Sequence, residues 1–146
     1  MSGMEWNAAW ETGIPAIDRQ HRELLQRANG LLAAILAGAP EPGVEEMLFH
    51  LAQYTDYHFR DEERLMADSD CPGRAEHRQA HDLMREKVAG MVEREERAAH
   101  PLTSDLIEFF YDWLTNHMGT FDQALAAHLR EWTPSSRKGH LELSTD

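Results

Sequence analysis

His58 and Glu62 stand four residues apart in HFRDEERLM (58–66), and His77 and His81 stand four apart in HRQAH (77–81). On a helix, that spacing puts both members of a pair on one face. Imidazole and carboxylate are the side chains that hold metal ions or carry protons. The direction of the face decides how the pairs read. Facing solvent, such a pair is ordinary surface. Facing a core it needs compensation, because a buried polar group without a partner costs roughly 2–7 kcal/mol.

The elements that must position these residues are marked out by Pro and Gly. Breakers fall at Gly13–Pro15, Gly38–Gly43, Cys71–Gly73, His100–Pro101 and Pro134. Between them the periodicity predicts four helices: from about Asp18, as N-cap, to Ala37; Val44 to Ala67; Arg74 to Arg97; and Ser104 to Arg130. No alternating apolar–polar run suggests a strand. Short connections between long helices predict an all-α, antiparallel up-down-up-down four-helix bundle. Residues 1–17, with Trp6 and Trp10, are expected to form an N-terminal arm across the bundle of residues 18–131, and 132–146 a short, polar, flexible tail.

Apolar residues at spacings of three and four trace the inward stripe of each helix. The first gives His21, Leu24, Leu25, Ala28, Leu31, Leu32 and Ile35. The second gives Val44, Met47, Leu48, Leu51, Tyr54, His58, Glu62 and Leu65, and the third His77, His81, Met84, Val88 and Met91. The fourth gives Leu106, Phe110, Trp113, Leu114, His117, Phe121 and Ala124. The histidines lie in register with the stripes, so the face carrying His58 and Glu62 points inward. With alternating helix direction, all of them fall toward one end of the bundle. Asp122, five residues after His117, is rotated by roughly 140° from it in an ideal helix. It could lean in from the flank, or a local widening of the helix could bring it round.

Five imidazoles and two carboxylates are thus expected in one buried layer. A hydrogen-bond network could keep them there, or a metal could. Salt bridges fail, since the layer contains no Lys or Arg, and metal is the better explanation. The donor set exceeds what one tetrahedral zinc needs; two metals bridged by carboxylates use every group. Imidazole-rich sites suit Fe, Zn, Cu or Ni, whereas calcium and magnesium sites are oxygen-rich.

The bulk properties narrow the classes further. A formal net charge of −12 over 146 residues argues against nucleic acid or an anionic membrane as partner. The single cysteine, Cys71, cannot form an intramolecular disulfide and fits a reducing compartment; it reads as an inert loop residue. The start, MSGMEWNAAWE, is not a secretory signal, and no apolar stretch is long enough to span a bilayer, so a cytoplasmic location is expected. His50, His100, His128 and His140 match no motif and read as surface or tail. The acidic runs Asp61–Glu63 and Glu93–Glu96 read as solvated helix face, Glu62 excepted.

Over about Trp10 to Leu129 the chain resembles the hemerythrin family, in particular the bacterial hemerythrins. The likeness rests on QH at Gln20–His21, HFxxEE at His58–Glu63, HxxxH at His77–His81 and HxxxxD at His117–Asp122. One HxxxH is weak; all four motifs in order, on four helices, are highly specific. The resemblance implies a non-haem di-iron centre, with His77, His81 and His117 on one iron and His21 and His58 on the other. Glu62, Asp122 and an oxo or hydroxo group would bridge the two. It also implies an inward Asp122, since the family has the same five-residue spacing, and an open position on the two-histidine iron where O2 binds. Phe59, Trp113 and Leu114 match the family's dry, apolar pocket lining.

The function implied is reversible O2 binding for storage, transport or delivery to oxygen-using enzymes. It is not an enzymatic one. NO and small anions such as azide are the other ligands expected, and a monomer or weak homo-oligomer the expected state. Two alternatives keep the cofactor: an O2, NO or redox sensor acting through a separate partner, and a di-iron oxidase or iron-handling protein. Against the first, no output domain or coiled-coil extension is expected after the bundle. Against the second, the chain has no Glu-x-x-His of the ferritin-like kind.

Overall fold

The computed structural model describes residues 4–97 and 104–132. The link at His100–Pro101 and the tail from 133, with His140, lie outside the described residues, as do the side chains of 41, 94–97 and 104–106, Leu106 among them. A 3-10 turn, Ala8–Trp10, precedes α1 (Pro15–Leu36), α2 (Glu41–Asp68), α3 (Arg74–Arg97), α4 (Ser104–Gly119) and α5 (Phe121–Glu131). No strand occurs among the described residues. The fold is an antiparallel four-helix bundle, with α4 and α5 together forming the fourth limb. α2 packs between α1 and α3, and α4 packs on α1, α5 and the 3-10 turn. None of these helices is long and apolar enough to cross a membrane.

The helix ends follow local chemistry. α1 starts three residues before the expected Asp18, because Pro15 occupies its first turn, where no N–H partner is needed. Asp18 therefore sits inside the helix instead of capping it. Its carboxylate reaches back and accepts from Thr12 N (2.9 Å), Thr12 Oγ1 (2.7 Å) and Gly13 N (3.2 Å), tying the arm to α1. α1 ends at Gly38, whose φ of +69° favours glycine; the Ala39 N–H returns to the Ala34 carbonyl, closing a Schellman turn. α2 also begins three residues early, at Glu41, behind Pro40. It ends through Asp70 at φ +52°, with Cys71 N donating to the Met66 carbonyl.

The fourth limb departs most from expectation. The sequence pattern runs one helix to Arg130, but the chain breaks at Thr120, with φ −125° and ψ −76°. The Thr120 hydroxyl donates to the Asn116 carbonyl (2.8 Å), and Gln123 Nε2 donates to the Met118 carbonyl (3.2 Å), so side chains take up acceptors freed by the break. Gly119 just before it offers little resistance. The break resets the inward face. Phe121 and Ala124, expected inside, are exposed, whereas Asp122, Leu125, Ala126 and Leu129 are buried. A helix break, not a widening, turns Asp122 inward.

The expected stripes of α1, α2 and α3 are otherwise buried, except that Ile35 and Tyr54 are half-buried and Met47 is exposed. Their apolar members form two separate clusters. The larger contains Leu24, Leu31, Leu48, Phe59, Met84, Phe110 and Leu114, and the smaller contains Ile14, Ile17, Leu65, Met66, Leu125 and Leu129. The arm closes over the bundle: Trp10 is buried in the larger cluster, Asn29 holds both the N–H and the carbonyl of Met4, and Arg130 donates to the Thr12 carbonyl at 2.6 Å.

Asp18→Ala removes three hydrogen bonds from a buried carboxylate and should lower stability by about 2 kcal/mol. Urea unfolding monitored by circular dichroism checks this, with the helix content of the folded baseline expected to stay unchanged.

Candidate metal centre

Between the two apolar clusters lie seven buried polar side chains: His21, His58, Glu62, His77, His81, His117 and Asp122. α1 supplies His21, α2 supplies His58 and Glu62 one turn apart, α3 supplies His77 and His81, α4 supplies His117, and α5 supplies Asp122. The structure brings together every one of the seven residues singled out in the sequence.

Their donor atoms fall into two groups that could each hold a cation: His77, His81 and His117 with Glu62 and Asp122, and His21 and His58 with the same two carboxylates. Each carboxylate divides its oxygens between the groups. Glu62 Oε1 lies 3.5 Å from His77 Nε2 and 3.3 Å from His81 Nε2, while Oε2 lies 3.1 Å from His21 Nε2 and 2.9 Å from His58 Nε2. Asp122 Oδ1 is 3.1 Å from His77 and 3.4 Å from His117, while Oδ2 is 3.0 Å from His21.

Hydrogen bonding among these groups does not account for the layer. Glu62 Oε1, both Asp122 oxygens and His21 Nδ1 are buried without a hydrogen-bond partner. His117 Nε2 faces two other ring nitrogens, His77 Nε2 at 3.0 Å and His81 Nε2 at 3.2 Å. Donors about 2.1 Å from a first-row ion stand about 3 Å apart along the edges of an octahedron, and the separations here cluster around that value. The charge balance agrees. Burial works against protonated histidine, yet Asp122 and Glu62 hold the pKa of His21 up at about 10 and that of His77 at about 9. Burial also opposes ionised carboxylates, yet the surrounding imidazoles keep Glu62 and Asp122 well below the usual range. Burial lowers the pKa of His117. The layer attracts positive charge, as a cation site must.

A second ring of residues aims the imidazoles. Gln20 Nε2 donates to Asp61 Oδ2 (3.0 Å), so Gln20 Oε1 accepts from His58 Nδ1 at 2.6 Å. Glu63 Oε2 accepts from His81 Nδ1 at 2.9 Å. Burial of Glu63 opposes its charge, but His81 and Arg85 hold its pKa down at about 2. With Nδ1 donating outward, each of these rings turns an Nε2 lone pair to the centre, the orientation a metal needs. Asp61 and Glu63 were expected in solvent, and that expectation fails. Asp61 is buried against Gln20, and Glu63 is only 13% exposed at its side chain, under Arg85. The second Glu of HFxxEE and the Gln before His21 were the available signals; Arg85, four residues after His81, gave none beyond helical spacing.

Aromatic rings close one side. Phe59 stacks on His81 at 3.9 Å and 8°, Trp113 stacks on His117 at 4.4 Å and 14°, and Phe121 lies 5.2 Å from both His77 and His117. Two of the three expected pocket-lining residues thus lie against the three-histidine group, Phe59 also meeting His58 of the other group at 6.0 Å, and Leu114 is buried in the larger apolar cluster. Of the remaining histidines, His50 is exposed, while His128 is half-buried and meets the Ser69 carbonyl at 2.9 Å, so it is not simple surface. Cys71 is buried, which pushes its thiol pKa up and fits an inert residue.

Comparison with known proteins bears on this geometry. The profile of the Hemerythrin HHE cation binding domain matches residues 12–129. This chain belongs to the hemerythrin family. A bacteriohemerythrin of Stenotrophomonas maltophilia (strain R551-3) is 30% identical over 143 residues, covering 95% of this chain and 92% of that one. The myohemerythrin of Sipunculus nudus is 27% identical over 117 residues, covering 80% and 86%. A crystal structure of wild-type hemerythrin superposes with a TM-score of 0.81 at 26% identity, covering 85% of this chain and 95% of the other. In this hemerythrin the donor set, the unpartnered buried oxygens and the spacing of the donor atoms all fit a pair of cations.

Gln20→Leu should release His58 Nδ1 and weaken metal binding about 10–100-fold. Competition against a chelator measures this; unchanged affinity would mean that His58 is oriented by something else.

Proposed function

We propose that this chain binds O2 reversibly for storage, transport or delivery to oxygen-using enzymes, at two non-haem iron ions. The observation that carries this reading is the division of one buried layer into a three-histidine and a two-histidine group sharing the same two carboxylates. In this reading His77, His81 and His117 hold one ion and His21 and His58 the other, with Glu62, Asp122 and an oxo or hydroxo group spanning both. An iron pair, when bound, supplies the two electrons and the binding position that reversible O2 uptake requires.

The rest is work of the chain's own residues. The unequal histidine count makes the two positions inequivalent, so a small ligand meets the less crowded one. Phe59, Trp113 and Leu114, taken as the pocket lining, exclude water and with it a ready source of protons. The seven histidines and carboxylates of the layer are themselves the donors of the two groups, and Glu63 is hydrogen-bonded to one of them, His81. This commitment of the donor side chains supports a carrier. We read 18–131 as the unit that does this, with 1–17 as its arm and 132–146 as tail. The setting we propose is cytoplasmic, as monomer or weak homo-oligomer, with NO and small anions such as azide as competing ligands. The net charge of −12 supports no role in binding nucleic acid.

Iron-loaded protein, reduced without air and then given O2, should develop an oxygenated absorption spectrum that reverses on deoxygenation. Rapid one-way oxidation would overturn the carrier reading. His77→Ala should lose one iron of the pair or both, by metal analysis; two irons retained per chain would refute the ligand assignment.

A further inference from the structure

Arg85 touches His81 by two indirect routes. Through Glu63 it is polar: Arg85 Nη1 donates to Glu63 Oε2 at 2.8 Å and Nη2 to Oε1 at 3.2 Å, and Glu63 Oε2 also accepts from His81 Nδ1 at 2.9 Å. Through Phe59 it is aromatic: the guanidinium carbon lies 5.3 Å from the Phe59 ring centre, and Phe59 stacks flat on His81 at 3.9 Å. Asp56 (2.8 Å) and Asp82 (2.9 Å) fix the guanidinium from outside. The register explains the arrangement, since Arg85 follows His81 by one turn of α3 and Glu63 follows Phe59 by one turn of α2. On the two-histidine side, His58 Nδ1 meets the amide of Gln20 instead, and that amide donates in turn to Asp61 Oδ2 at 3.0 Å.

A carboxylate accepting from the outer nitrogen of a coordinated imidazole gives the ring imidazolate character and strengthens its donation to the metal, which favours the more highly charged metal. A guanidinium holding the same carboxylate by both oxygens draws part of that charge away. We propose that Arg85 is a positioning residue that sets how much electron density His81 delivers, and so keeps the three-histidine iron from being locked in its oxidised state. This rests on the iron-pair reading above. Removing Arg85 leaves the full charge of Glu63 on His81 and favours oxidation; removing the charge of Glu63 favours reduction. A residue that only braced the helices would not move the potential in opposite directions in the two variants.

The test is a spectroelectrochemical titration of the first one-electron step, with iron content measured, in the iron-loaded full chain and four variants. Arg85→Met, which keeps the alkyl stem over Phe59, should shift the oxidised-to-reduced ratio about tenfold toward oxidised, a lowering of about 59 mV. Glu63→Gln should shift it at least tenfold the other way. Arg85→Lys should fall between wild type and Arg85→Met. Asp82→Asn, which removes a charge touching Arg85 but not Glu63 or His81, should move it less than threefold. Shifts of the same sign in Arg85→Met and Glu63→Gln, or an Arg85→Met ratio within twofold of wild type with two irons bound, overturn the inference. Should Arg85→Met shed iron, the titrations of Glu63→Gln and Arg85→Lys decide. An upward shift in Glu63→Gln at wild-type iron content supports the proposal, and unshifted potentials in both Glu63→Gln and Arg85→Lys overturn it. A wild-type chain that loads fewer than two irons overturns the iron-pair reading instead.

Discussion

Five imidazoles and two carboxylates occupy a level of the bundle where hydrocarbon would normally sit. That substitution is the constraint to which the other features answer. Two fully buried carboxylates with three oxygens unpartnered are tolerable only where positive charge gathers around them. Each helix of the bundle therefore contributes at least one donor, and the donors come from helix positions that alternate direction brings to one level. The turn after α2 keeps Glu62 and His77 close in space although they belong to opposite runs. The arm performs the same service for the last donor: Gln123 and Arg130 of α5 bond to the carbonyls of Glu11 and Thr12, fastening the short helix that carries Asp122.

Around this layer the outer contacts are not equivalent. His58 leans on a neutral amide and His81 on a carboxylate shared with a guanidinium. Phe59 and Trp113 lie flat on His81 and His117, whereas His21 and His58 meet each other edge-on at 4.7 Å. The three-histidine group is thus the more rigidly framed and the more screened by aromatic faces. The inequality begins with the number of nitrogens and is reinforced by what stands behind them.

Much of this was legible in the sequence because helical periodicity fixes faces. His21, His58, Glu62, His77, His81 and His117 share register with Leu and Met stripes, and the structure buries all six. Asp122 was not legible from spacing, since the break at Thr120, where side chains take up carbonyls that the helix gives up, is a local event that a periodic pattern averages away. Phe121 and Ala124 were misplaced for the same reason. Asp61 and Glu63 look like surface in a run of charges, and only the partners that α1 and α3 bring across, Gln20 and Arg85, show otherwise. The start of α1 was displaced because Asp18 resembles a cap in sequence while bonding backward from within the helix.

Among the described residues, the polar level divides the apolar interior unequally. Opening is cheapest where few apolar side chains interlock. The smaller cluster, built from the entry to α1, the end of α2 and α5, is that place. That cluster borders the donors on one side, and Leu31, Leu48 and Phe110 belong to the larger cluster on the other. Local opening at that end would reach the donor layer before it reached the larger cluster.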